Sequence, residues 1–135
     1  FTLEKFKKSN YLIINEREFR FEMKDQTSKL DHLIKLFHKK YQVKNLVVTR
    51  GKYGSVFFNG KNFIYCPAFA NKIIDKVGAG DSFFSLFSLG IIQEEKLDIA
   101  LLIGSIAGAH NIENIANSKK LDKKYLLKYI DHLLK

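Results

Sequence analysis

The hydrophobic pattern along the chain changes period in blocks, and those changes predict its elements. Tyr11-Leu12-Ile13-Ile14 is an unbroken apolar run of the kind that suits a strand buried on both faces, and Leu46-Val47-Val48-Thr49 repeats it. Between them Leu30, Leu33, Ile34 and Phe37 recur at helical spacing, predicting an amphipathic helix capped by Thr27 or Ser28 and running to about Lys40. Ser55 to Phe58 and Asn62 to Tyr65 flank Asn59-Gly60, a strong hairpin signal. A helix from about Ala79 to Ile92 is expected to bury Phe83, Phe84, Phe87 and Ile91 as core packing. The next begins near Lys96-Leu97-Asp98 and carries the small residues Gly104, Ser105, Ala107, Gly108 and Ala109, which admit another backbone or a flat ring at close range. The last, about Asp122 to Leu134, sets Leu126, Leu127, Ile130, Leu133 and Leu134 against lysines and reads as an amphipathic helix closing the sheet. Strands alternating with helices, plus one hairpin, predict an α/β layered sheet.

Composition narrows the class. A chain of 135 residues with 46% hydrophobic content is one folded domain or part of one, and no apolar run approaches the roughly 20 residues of a membrane span. The net charge of +9 invites a nucleic-acid reading, yet only Arg17, Arg20 and Arg50 of the 23 basic residues are arginine, the planar phosphate and base reader. The lysines are also scattered, which argues against a binding patch. The single cysteine, Cys66, excludes an internal disulfide and an all-cysteine zinc site and is expected to be a small buried residue. His32 and His38, six residues apart, do not share a helix face and are expected to be solvated; His110 is expected to end its helix or face solvent. A chain starting at Phe1 without an initiator Met or signal peptide is expected to be a fragment and cytoplasmic.

The candidate chemistry centres on Asp75-Lys76-Val77-Gly78-Ala79-Gly80-Asp81. A β-branched pair, Ile73-Ile74, enters it, a Gly-x-Gly turn forms its middle and a helix leaves it. That order aims backbone N–H groups and the positive end of a helix at an anion. Neither dinucleotide nor P-loop spacing fits, because no third glycine and no Gly-Lys-Ser/Thr follows. Asp81 stands at the helix start, where an acid beside an anion site makes sense as the acceptor of a hydroxyl proton in phosphoryl transfer. Asn15 and Glu18 follow the first strand, and Thr49, Gly51 and Gly54 follow the second. Ligand groups collect at the carboxyl ends of such strands. Taken alone, the first pair is a turn and a cap, and the second set an ordinary strand-exit turn.

The string from Asp75 to Asp81 resembles the Asp-Thr-x-Gly-Ala-Gly-Asp signature of the ribokinase-like (PfkB) carbohydrate kinases, and the Asn-x-x-Glu and Thr-x-Gly-x-x-Gly motifs of that family precede it in the expected order. The resemblance covers the whole chain, but only the C-terminal portion of a family member; the N-terminal half with its sugar contacts and lid is absent. It implies a ribokinase-like layered α-β-α sheet over residues 1–135 and ATP-dependent phosphorylation of a hydroxyl on a sugar or sugar phosphate. It also implies a role for each matching residue: Asp81 as general base, Gly78, Ala79 and Gly80 as the anion hole, and Asn15 and Glu18 near magnesium, directly or through water. Thr49, Gly51 and Gly54 would hold ATP, Ser105 would lie beside the adenine, and Asp75 matches a monovalent-cation ligand. Two departures adjoin that cation loop. Lys76 replaces the usual threonine, so that its ammonium can stand where potassium would sit, and Ala116-Asn117 replaces a Gly-Ala pair. The Asp75–Asp81 variant is similar to that of the heptose-phosphate kinase branch. The expectation for the isolated chain is weak nucleotide binding and little activity; for the full-length protein, a possible homodimer. Vitamin-type kinases of the same superfamily, and a non-catalytic binding module (an inactive relic or a basic nucleic-acid binder), are the alternatives.

Overall fold

Tyr11–Asn15 (β1) and Asn45–Thr49 (β2) lie side by side as parallel strands in a computed structural model that describes residues 3–70, 77–93, 95–113 and 122–133. Ile13 pairs with Val47 and Asn15 with Thr49. β2 continues antiparallel into β3 (Ser55–Phe58), which pairs with β4 (Phe63–Cys66), giving the order β1-β2-β3-β4. A parallel pair needs a long crossover, supplied here by α1 (Glu16–Met23) and α2 (Leu30–Tyr41). These elements belong to the first of two units, Phe1–Pro67. Its core gathers Phe19, Leu33, Ile34, Phe37, Val48 and Val56, all nearly solvent-free, with Phe19 edge-on to Phe37 at 5.4 Å.

The hydrophobic pattern gives little warning of α1, because Phe19 is buried while Phe21 is 74% exposed. Its start is chemical: Asn15 is the N-cap, accepting the Glu18 N–H at 2.9 Å. Asn15 and Glu18 thus have the spacing of a capping box. α2 spans the expected residues but is not capped as expected. Its N-cap is Lys29, with no side-chain cap bond. Thr27 and Ser28 instead donate their N–H groups to Asp25 Oδ1 at 3.0 and 2.9 Å, and the Ser28 hydroxyl donates to Oδ2 at 2.7 Å. The Ser28 N–H, the Ser28 hydroxyl and the Thr27 N–H, in that order, hold the Asp25 carboxyl down at about 2.

At the hairpin, Asn59 Oδ1 accepts the Lys61 and Asn62 N–H groups at 3.0 and 2.8 Å. A Cβ on Gly60 would lie 2.8 Å from His38 Nε2. His32 is exposed as expected, but His38 is half-buried, edge-on to Phe58 at 5.4 Å, because α2 passes beneath the turn. Cys66 is buried at the end of β4.

The second unit, Ala68–Lys135, contains α3 (Ala79–Ile92), α4 (Leu97–Ile112) and α5 (Lys123–Leu133). α3 and α4 pack antiparallel through small residues. A Cβ on Gly90 would stand 2.9 Å from the Cβ of Ala100, and one on Gly104 would stand 3.0 Å from Phe87 Cβ and 3.1 Å from the Phe83 carbonyl oxygen. It is thus another backbone, that of α3, that the glycines of α4 admit. Phe83 and Phe87 are buried and stacked at 5.8 Å, as expected. Phe84 is 56% exposed, however, and Ile91 only half-buried: the contact line runs through Phe83, Phe87 and Gly90 and leaves Phe84 outside it. His110 stands in the last turn of α4, at the helix end as expected, and is buried there rather than facing solvent. On α5 Leu126, Tyr129 and Ile130 are half-buried while Leu127 is exposed, and the Tyr129 hydroxyl donates to the Phe69 carbonyl at 2.6 Å. No helix among the described residues is long and apolar enough to cross a membrane.

Candidate functional site

The first unit brings Asn15 and Thr49 together. As register partners they end β1 and β2 side by side, at the carboxyl edge of the parallel pair. Glu18 stands exposed in the first turn of α1, one turn beyond. The cap bond occupies Asn15 Oδ1, so the capping reading of this pair is realised whatever else it does. Beyond Thr49 the chain closes a tight loop: the Arg50 N–H donates to the Gly54 carbonyl at 2.7 Å, Tyr53 N–H to Arg50 at 3.1 Å, and Gly54 N–H to Gly51 at 3.0 Å. Gly51 at φ 56° and Gly54 at φ 80° hold conformations that side chains disfavour. A Cβ on Gly51 would meet nothing within 4 Å, so the loop has an open side.

Sequence reasoning missed the residues that brace this edge. Glu16 accepts from Arg20 Nε at 2.8 Å and from Arg50 Nε at 3.0 Å. Partial burial pushes the Glu16 carboxyl up, but the two guanidiniums outweigh it and hold it below the ordinary value. The Arg50 guanidinium also lies over the Tyr53 ring at 5.7 Å, and the Lys52 ammonium at 5.1 Å. Of these contacts only Glu16–Arg20, four residues apart on one helix, had a legible spacing.

In the second unit Gly78, at φ 76°, is the left-handed N-cap of α3, so Ala79, Gly80 and Asp81 form its first turn. Their N–H groups have no acceptor within the helix; the Ser82 N–H is the first to bond back, to the Gly78 carbonyl at 2.9 Å. A Cβ on Gly80 would meet nothing within 4 Å, and Asp81 is exposed beside it. α4 supports this start. A Cβ on Gly108 would approach the Ala79 carbonyl at 3.3 Å, and the buried Asn111 donates to the Ser82 hydroxyl at 2.8 Å. Ser105 is half-buried in the middle of α4. Ile73, Ile74, Asp75 and Lys76, Ala116 and Asn117, and Leu134 lie outside the described residues.

An open helix start with an acid in its first turn can bind an anion and accept a proton next to it. Among the described residues no three His, Cys, Asp or Glu side chains cluster to hold a metal. The carboxylate and carboxamide of Glu18 and Asn15 are a donor set that suits magnesium, which takes one or two carboxylates and completes its shell with phosphate oxygens and water.

The profile described as pfkB family carbohydrate kinase matches residues 3–124. This chain belongs to that family. It is 30% identical over 119 residues to a nucleoside kinase of Methanocaldococcus jannaschii, a match covering 82% of this chain and 35% of the relative. Over 103 residues it is 35% identical to a probable fructokinase-5 of Arabidopsis thaliana, covering 71% of this chain and 31% of that protein. In structure it is similar to the ribokinase of Thermotoga maritima, with a TM-score of 0.79 at 22% identity over 90% of this chain and 42% of the other. The fold of this pfkB-family chain is therefore ribokinase-like α/β. It spans between 22% and 35% of the length of curated relatives such as these.

Proposed function

We propose that the chain is the nucleotide-binding and catalytic-base part of a kinase that transfers a phosphoryl group from ATP to a hydroxyl of a sugar or sugar phosphate. The observation that carries the reading is the glycine-capped start of α3, whose first N–H groups have no acceptor within the helix, with open space beside Gly80 and with Asp81 in its first turn. In the proposed reaction Asp81 takes the proton of the acceptor hydroxyl, whose oxygen bonds to the γ-phosphorus as the bond to the bridging oxygen breaks and ADP leaves. The N–H groups around Gly78, Ala79 and Gly80 face the charge that builds on the transferred group. Asn15 and Glu18 would hold magnesium, which supplies charge neutralisation at the phosphates. Thr49 and the glycines of its loop would hold the nucleotide, with Ser105 beside the adenine. Asp75 would contribute to a monovalent-cation site, unless the Lys76 ammonium takes that role; a structurally similar phosphofructokinase-2 of Escherichia coli is described in complex with potassium.

Relatives named as ribokinase, nucleoside kinase and fructokinase favour a sugar-type acceptor over the vitamin-type alternative. The acceptor contacts would come from chain outside these 135 residues, so the isolated chain should bind nucleotide weakly and turn over little. The test is ATP turnover by the full encoded polypeptide against a panel of sugars and sugar phosphates, with Asp81→Asn alongside. The substitution should lower kcat by roughly 10²–10⁴-fold and leave the KM for ATP nearly unchanged. Wild-type turnover by Asp81→Asn, or brisk sugar-dependent turnover by the isolated chain, would overturn the assignment.

A further inference from the structure

We infer that Glu16 is a positioning residue: acting through Arg50, it fixes the shape of the Arg50–Gly54 loop and thereby sets nucleotide affinity without touching the nucleotide. This rests on reading that loop as the nucleotide loop. Arg50 closes the loop with its own backbone, donating to the Gly54 carbonyl at 2.7 Å and accepting from the Tyr53 N–H at 3.1 Å. Whatever holds the Arg50 side chain therefore holds both ends of the turn. Two groups do so from different directions: the Glu16 carboxylate takes Nε at 3.0 Å, and the Tyr53 ring lies 5.7 Å from the guanidinium.

Glu16 is itself braced. Its other oxygen takes Arg20 Nε at 2.8 Å, and Arg20 Nη1 donates to the Ser28 carbonyl at 2.9 Å. The result is a continuous strut from the α1–α2 connection, through Arg20, Glu16 and Arg50, to the exposed Tyr53. Its charged side chains are 16–28% exposed, so solvent screens them less than a fully exposed pair. A loop with two glycines and an open side has wide conformational freedom, and ordering it in advance is worth affinity. Arginine suits the post because its edge can meet a carboxylate while its face covers a ring; lysine cannot do both.

The competing explanation is that Glu16 only steadies α1 through its pairing with Arg20. Three substitutions separate the two: Glu16→Gln, Arg50→Lys and Arg20→Met, with the Glu16→Gln/Arg50→Lys double variant. The readouts are amide hydrogen exchange at Tyr53 and Gly54, and KM for ATP against kcat, in the full encoded polypeptide. Glu16→Gln and Arg50→Lys should each speed exchange at both amides and raise KM for ATP by roughly tenfold with kcat little changed, and the double variant should add nothing further, as expected of residues acting through one contact. Arg20→Met, which removes the brace but leaves the Glu16–Arg50 contact, should speed exchange and raise KM less than Glu16→Gln does, by no more than about threefold. The proposal is overturned if Arg20→Met reproduces Glu16→Gln, if Glu16→Gln behaves as wild type, or if the two effects multiply. A wild-type protein with no nucleotide affinity would sink the functional reading, and exchange at Tyr53 and Gly54 would then decide the positioning role by itself.

Discussion

The two units are built by opposite means. The first fills its core with bulk: Phe19, Phe37, Leu33 and Ile34 meet the inner side chains of the sheet. The second gains its tightest contacts by leaving bulk out, as Gly90 and Gly104 let α3 and α4 close until one helix backbone faces the other. Each strategy suits the candidate residues that its own unit carries. A sheet edge is placed by strand register, which large side chains on the buried positions enforce. A helix start is placed by what clamps it from behind, and here Gly108 and Asn111 of α4 hold the first turn of α3.

The contrast can be tested by mutating each core in the other's style. Phe37→Ala removes a fully buried ring and should cost about 3–5 kcal/mol in denaturant unfolding; a loss under 1 kcal/mol would mean that bulk is not what holds the first unit. Gly104→Ala should cost about 1–3 kcal/mol, because the added methyl group meets a backbone carbonyl that cannot move aside. Gly80→Ala, facing open space, should leave stability unchanged or raise it by up to about 1 kcal/mol. Equal losses at the two glycines would erase the distinction. The smallest effect belongs to the surface of the first unit. Asp25 is held at about 2 against an ordinary 3.8, so its contribution is complete above the ordinary value and is lost as pH falls through the lowered one. Asp25→Asn should therefore flatten the loss of stability between about pH 4 and pH 2 relative to wild type in acid titrations of unfolding.

Much of this was legible in one sequence. The strands, the Asn59-Gly60 hairpin and the span of α3 follow from local pattern and turn chemistry. What the pattern could not give was set by partners distant in the chain. α1 has too little apolar periodicity to announce itself, and its one clear signal, Asn15 followed by Glu18, reads on its own as a turn and a cap and becomes a ligand pair only through the family resemblance. Phe84 sits at a helical spacing fit for burial, yet the phase of α3 is decided by where Gly90 and Phe87 meet α4. His110 does fall in the last turn of α4, but its burial, and that of Asn111 beside it, has no sign in the local pattern. In the candidate site, the adjacency of Asn15 and Thr49 follows from the strand-end rule once the two strands are parallel. The Glu16–Arg50 contact has no local signature at all.

That contact closes 34 residues of chain, whereas Phe58 and Phe63 pair across a single turn and α3 meets α4 across a short connection. Loop-closure entropy delays long-range pairings relative to local ones. The hairpin and the helix pair can therefore form early, and the β1–β2 seam, with Asn15, Thr49 and the Arg50 loop on it, is placed among the last parts to settle. A slip of one residue there would turn Asn15 and Thr49 to opposite faces of the sheet. The edge that carries the candidate chemistry is thus also a checkpoint of folding, and a ligand held on it would select chains whose register has closed correctly.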